Sequence, residues 1–234
     1  MRGAWLLGCG AAAVMAVALV GCNGLLGIGA ASMEAEDAGG EGGTVVIPPR
    51  ALSCAYYCAT MVTNCTQANA EYLGSEDPVT LCMSMCPVLD VGAAIGPSND
   101  DTLGCRINYA ELAQGDPATN CRFAGPGGGG KCGTDPCSIF CALDVQYCNS
   151  SSISTPDKYP YASSSDCLAA CNGGGADGGA DGGAGYPYLT TGPDLLDSTN
   201  TLNCRFWHLE NAYGSMTSGA FHCPHTALVS TMCF

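Results

Sequence analysis

Basic residues are scarce in this chain of 234: seven Lys and Arg stand against 21 Asp and Glu, a formal net charge of −14. A phosphate backbone is held by cationic side chains, so this balance argues against nucleic acid as a partner. Electrostatic docking on anionic lipid is disfavoured for the same reason. The acidity is read as a soluble, self-repelling surface, with cation binding as the other role it suits. Aromatic residues are also few, at 7%. The apolar core per residue is therefore thin, and cross-links have to supplement it. Catalytic signatures are missing. There is no Cys-x2-Cys-His for a c-type haem, no Gly-x-Ser-x-Gly, no His-Glu-x2-His and no Gly-rich loop ending in Lys-Ser or Lys-Thr. No cofactor and no catalytic residue is expected. A glycosidase-type carboxylate pair stays open, because the sequence does not show which acids face each other.

Cysteine, by contrast, is abundant, at 18 residues, and its use depends on the compartment. Met1 and Arg2 open a leader in which residues 3–21 carry no charge and residues 11–20 are Ala, Val, Met and Leu only. A basic start, an apolar stretch and a small residue before the cut make up a secretory signal. It ends Leu19-Val20-Gly21-Cys22. This tetrapeptide resembles the bacterial lipobox, which implies cleavage before Cys22 once its sulfur carries diacylglycerol; an ordinary cleaved signal or an uncleaved anchor are the other readings. Two or three acyl chains supply the multiple signals that stable anchoring needs. Asn23 follows, where an Asp would imply inner-membrane retention, so the outer membrane is expected, at its periplasmic face or at the cell surface. Residues 22–53 then read as a lipidated cysteine and an acidic tether. Gly39–Gly43, Glu34, Glu36, Asp37 and Pro48-Pro49 leave too little apolar surface to fold alone, and a flexible chain of roughly 31 residues spans about 30 Å.

With Cys9 lost and Cys22 blocked, sixteen cysteines remain, an even number in each of two blocks. Even counts in an exported chain read as a disulfide framework. Cys54, Cys58, Cys65, Cys82, Cys86, Cys105, Cys121 and Cys132 correspond one to one with Cys137, Cys141, Cys148, Cys167, Cys171, Cys204, Cys223 and Cys233. Thr102-Leu103-Gly104-Cys105-Arg106 matches Thr201-Leu202-Asn203-Cys204-Arg205, and Glu111 and Ala113 match Glu210 and Ala212. Two tandem repeats follow, over 54–134 and 135–234. The segment between Cys132 and Cys137 is too short for a free linker, so the repeats are expected to abut or pack together.

Each repeat reads as three short helices joined by long irregular loops, an all-α, disulfide-rich class. Cysteine offsets of 0, 4 and 11 fall within about 40° on a helix, so Cys54, Cys58 and Cys65 form one stripe. Ser75-Glu76-Asp77-Pro78 and Ser164-Ser165-Asp166 open the second helices. The third helices are expected to start near Asn99-Asp100-Asp101 and near Asp197-Ser198, the second running from Thr201, and to end near Ala113 and Tyr213. Antiparallel Cys-x3-Cys pairs predict the staples Cys54–Cys86, Cys58–Cys82, Cys137–Cys171 and Cys141–Cys167. This resembles, in geometry only, the twin-cysteine helical hairpins of small mitochondrial proteins. For the others we expect Cys65–Cys105, Cys148–Cys204, Cys121–Cys132 and Cys223–Cys233, although eight cysteines allow 105 pairings. The pattern also resembles uncharacterised cysteine-rich lipoproteins of Gram-negative bacteria with large genomes, in which Thr-Leu-x-Cys-Arg followed by Cys-Pro-His or Cys-x-x-Ala-Gly-Pro recurs in tandem. Cys223-Pro224-His225 and Cys121–Pro126 are those elements here. That resemblance brings no activity with it.

The remaining candidates are few. His208, His222 and His225 all lie in the second repeat, and three imidazoles hold Zn or Cu if they converge. The first repeat has Tyr109, Asn120 and Phe123 at those places, so the scaffold does not need histidine there, and surface or packing roles are the alternative. Arg106 and Arg205 are expected to pair with a carboxylate or a helix end. The insertion Gly174–Gly185 holds only Asp177 and Asp181, too few for a calcium loop, and reads as a flexible segment. A thiolate cluster of the metallothionein kind needs reduced sulfur, which export opposes. The sequence reading is an exported, lipid-anchored, non-catalytic scaffold for binding or surface structure, with a protein or surface polymer as partner. A metal-binding or redox-linked module using the three histidines is the alternative.

Overall fold

Helix starts are written into the sequence as caps. Ser53, Asp77, Thr102, Asp116, Asp135, Ser163 and Thr201 each accept a hydrogen bond from a backbone N–H in the first turn of the helix that follows. At three of them Asp is followed by Pro, whose fixed φ suits the first helical position. In this computed structural model the described residues are 45–74, 76–148, 160–173, 185–189, 200–213, 216–227 and 230–233. They form α1 (Cys54–Asn64), α2 (Pro78–Met85), α3 (Leu103–Leu112) and α4 (Pro117–Ala124) in the first half. The second half has α5 (Pro136–Tyr147), α6 (Ser164–Cys171), α7 (Leu202–Ala212) and α8 (Met216–His222). The fold is helical and disulfide-rich, as expected. The leader, Cys22, most of the tether, Asp197-Ser198 and all of the Gly-rich insertion but Gly185 lie outside the described residues. Among the described residues no helix is long and apolar enough to cross a membrane.

Two expectations need correction. Among the described residues each half has four α-helices, not three. The additional one, α4, opens at Asp116-Pro117, a cap signal of the same kind as Asp77-Pro78. This helix also changes the pairing. The staples Cys54–Cys86, Cys58–Cys82, Cys137–Cys171 and Cys141–Cys167 form as expected. The other bonds are Cys65–Cys121, Cys105–Cys132, Cys148–Cys223 and Cys204–Cys233, so the expected Cys65–Cys105, Cys121–Cys132, Cys148–Cys204 and Cys223–Cys233 are not made. The physical reason is that α4 packs on α1 and α3 and carries Cys121 to Cys65, the extended residue that ends α1. The chain then turns back through Gly128–Gly130, where all three glycines have positive φ. A Cβ at Gly129 would lie 2.7 Å from the Phe123 ring and 2.8 Å from a carbonyl of α4, so only glycine lets Cys132 return to Cys105 at the start of α3. The order of bonds is the same in both halves: first to fifth, second to fourth, third to seventh, sixth to eighth.

The described residues belong to a single compact unit, and one apolar cluster runs through both halves, from Tyr57, Met61 and Ile107 to Phe140, Leu143 and Phe206. Polar contacts join the halves as well. The Tyr147 hydroxyl meets Ser84 Oγ at 2.8 Å, and Glu210 accepts from the Leu73 N–H at 2.9 Å. The two arginines are fully buried. Arg106 pairs with Asp101 at 2.6 Å and donates to the carbonyls of Gly125 and Pro126 just after α4, where the negative end of the helix dipole favours a cation. Arg205 donates to the Thr201 and Ala227 carbonyls and stacks 3.6 Å from the centre of the Tyr186 ring.

Asp144 is an acid that the sequence pattern did not single out. It is buried on α5 and accepts from Thr226 Oγ1 at 2.7 Å. Desolvation pushes its pKa up from 3.8 to about 7, against the lowering effect of the Thr226 hydrogen bond. The folded chain thus holds a proton that the unfolded chain releases near 3.8. The stability this gives is complete below that value and is lost as pH rises through about 7. Asp144→Asn is expected to flatten the fall in denaturation midpoint between about pH 4 and pH 8 and to be more stable than wild type above that window, by about 1.4 kcal/mol for each tenfold change in proton affinity between the folded and unfolded chain. Equal pH profiles for the two proteins would show that Asp144 is ionised in the fold. Non-reducing peptide mapping is expected to recover Cys65 linked to Cys121 and Cys105 linked to Cys132. Replacing both Cys65 and Cys121 by Ala should cost roughly 2–5 kcal/mol in chemical denaturation.

Candidate functional site

The second half places its three histidines together. His208 stands on α7, one turn past Cys204. His222 is the last residue of α8, and His225 closes the short 3-10 turn Cys223–His225 that follows. Two disulfides fix this corner. Cys148–Cys223 ties the turn to the end of α5, and Cys204–Cys233 ties the start of α7 to the chain end. Nδ1 of His208 lies 3.0 Å from Nδ1 of His222. The His208 and His225 rings are 4.7 Å apart between centroids, and the His208 and His222 rings 5.2 Å. Trp207 packs edge-on to both His208 and His222, and Phe221 to both His222 and His225. Spacing alone did not single out these two aromatic neighbours, although each directly precedes a histidine in the chain.

The environment is dry on one side and open on the other. His208 is buried, whereas His222 and His225 are half-buried and Phe221 is 61% exposed. Burial foremost, and then the neighbouring His225 and His222 rings, push the His208 pKa down to about 3. Burial and His225 lower His222, and burial lowers His225. Between His208 and His222, one Nδ1 donates and the other accepts. Whichever tautomer His208 adopts, its buried Nε2 has no hydrogen-bond partner, which costs about 1–3 kcal/mol for a buried polar atom. Cys204 and Cys233 also bring sulfur within 4.8 Å of a His208 nitrogen, but both sulfurs are committed to the disulfide.

The first half fills the matching places with Tyr109, Asn120 and Phe123. Tyr109 and Phe123 meet edge-on at 5.2 Å, with the Arg122 guanidinium 4.8 Å from the Phe123 ring centre. The same helices and the same bonds thus hold an aromatic contact in one half and three imidazoles in the other. A separate cavity of about 230 Å3 opens beside the end of α1, lined by Met61, Val62, Tyr72 and Pro78 among others. Glu71 is the one carboxylate in that lining, so no carboxylate pair forms there. Arg106 meets a carboxylate and a helix end, as expected, whereas Arg205 meets backbone carbonyls and the Tyr186 ring. Cys22 lies outside the described residues. No protein family, curated protein or solved structure matches the chain.

With no metal added, all three imidazoles are expected to titrate below the ordinary 6.5, with His208 last, near 3. An unfolded histidine takes up its proton near 6.5 and folded His208 only near 3, so His208 makes the fold lose stability as pH falls through that window. Imidazole C–H resonances followed by NMR read this directly. A His208 signal that titrates at or above its ordinary value would refute the buried, neutral assignment.

Proposed function

We propose that this chain is an exported lipoprotein, anchored in the outer membrane through acyl chains on Cys22, whose folded part is a rigid, non-catalytic scaffold for binding or surface structure. The observation that carries the reading is the cysteine bookkeeping: all sixteen cysteines after Cys22 are paired, in the same order in both halves. Such a framework forms and persists in an oxidising compartment, which the leader ending at Cys22 would supply. The matching bond order, together with the two Thr-Leu-x-Cys-Arg segments, supports descent by tandem duplication. The shared apolar cluster makes the two copies a single platform at the end of the tether. Its acidic balance keeps the platform soluble and makes a neutral or cationic partner, a protein or a surface polymer, more suitable than a polyanion.

Intact mass of the full chain, expressed in a Gram-negative host and extracted from its membranes, tests both parts. The expected product begins at a diacylglyceryl-modified Cys22 and takes up no alkylating agent under denaturing, non-reducing conditions. Its mass is about 16 Da below the reduced form, two hydrogens for each of eight bonds. Cys22→Ala is expected to leave the leader uncleaved and the chain without acyl groups. Recovery of an unacylated chain from wild type would remove the anchor, and reproducible free thiols would remove the scaffold.

A further inference from the structure

We propose that Cys204, Cys233 and His208 form a redox-switched zinc site: a dithiol opens the Cys204–Cys233 bridge, and the two thiolates and the imidazole then take up one Zn2+ ion. Each of the three residues offers a ligand atom, and these atoms lie within 4.8 Å of one another. Two thiolates and one imidazole are a zinc donor set that leaves the fourth tetrahedral position to water. Thiolates about 2.3 Å from one tetrahedral ion lie about 3.8 Å apart, so the sulfurs need only separate once their bond is broken. Cys204 and His208 are four residues apart on α7 and share a face, and the Cys233 Cα lies 5.9 Å from that of Cys204. Nδ1 of His208 is engaged with Nδ1 of His222 at 3.0 Å, whereas its buried Nε2 has no hydrogen-bond partner. With His222 accepting from the Nδ1–H, the Nε2 lone pair is the one left for a ligand role, held as metal-bound histidines are held by the partner of their other nitrogen.

The first half supplies the contrast. Its equivalent bridge, Cys105–Cys132, has Tyr109 where the second half has His208, and a phenol is outside the usual zinc ligands. Among the described residues no other bridge has a third ligand atom of this kind within the same reach. The step balances. Two thiols of the reductant give up two electrons and join as its disulfide, while the protein S–S bond breaks and Cys204 and Cys233 become thiols. Zn2+ then displaces their two protons, and two thiolates offset the charge of the ion in a buried corner. A disulfide oxidant reverses both steps and releases the ion. Because zinc binds only the opened form, it pulls the exchange forward at this bridge. Access runs through residues 230–233, an irregular segment in which Thr231 is exposed and Met232 half-buried. The Met232 and Cys233 N–H groups donate to Ser230 Oγ within that segment, so it can open locally while the helices stay in place.

The test places the full chain in dithiothreitol redox buffers, with free Zn2+ fixed by a chelator buffer. Acid quenching, alkylation and peptide mapping then read the state of each bridge. Once free zinc exceeds its dissociation constant, each further tenfold rise should lower the dithiol-to-disulfide ratio that half-opens Cys204–Cys233 by about tenfold. Cys105–Cys132 in the same chain should not respond. H208Y, which installs the residue of the first half, should weaken zinc binding by more than the roughly 10–100-fold typical of losing an outer partner of a metal ligand, and the zinc response should shrink accordingly. If that variant does not form its bridges, the comparison of Cys204–Cys233 with Cys105–Cys132 in wild type decides by itself. A zinc-independent ratio at Cys204–Cys233, an equal shift at Cys105–Cys132, or an undiminished shift in H208Y would each overturn the proposal.

Discussion

A disulfide tolerates only a narrow separation between backbones, and that constraint sets the architecture. Every bridge here joins Cα atoms 5.5–5.9 Å apart, within the range the bond permits. The nested pairs draw α2 against α1 and α6 against α5, so the first two helices of each half are held by covalent geometry more than by side-chain volume. The third and seventh cysteines and the sixth and eighth close overlapping loops, locking α3 and α4 onto α1, and α7 and α8 onto α5. Helices of 7 to 12 residues are marginal alone in water, and a chain with few aromatics cannot offset their ordering cost by burial. Cross-linking addresses the cost on the unfolded side, by restricting the chain before it folds.

Once the bonds carry the framework, other positions are free to change. Gly104 leaves no room for a Cβ, because the Ala94 carbonyl would lie 2.1 Å away. The matching Asn203 instead uses its amide to hold both the N–H and the C=O of Leu189. Arg106 takes a carboxylate from Asp101, and Arg205 takes a ring from Tyr186. In both cases a guanidinium is buried at the end of the chain's fourth-helix turn, and in both the backbone carbonyls there are its constant partners. The histidine corner belongs to the same pattern of fixed cysteines with variable filling.

Much of this was legible in the residues. The helical class followed from the cysteine offsets and caps, and the nested staples followed from Cys-x3-Cys spacing, because two ladders on antiparallel helices match in only one order. The fourth helix was signalled by Asp116-Pro117, but eight residues rich in small and polar types gave it little apolar periodicity. The second pair of bonds in each half was read wrongly for that reason: without α4 there was no element to bring Cys121 to Cys65.

What the sequence by itself determined is local: where helices begin, which cysteines share a face, how the two halves correspond, and that histidines occur in only one of them. What only the tertiary structure decided is which distant segments meet. Cys65 pairs with Cys121 and not Cys105, Asp144 is buried against Thr226, and His208, His222 and His225 share one corner. The physical reason is that spacing along a helix is set by backbone geometry, while contact between α7, α8 and the turn after them depends on how loops of many residues close. That closure is settled by the whole set of bonds and the packing between them, and no short stretch of the chain contains it.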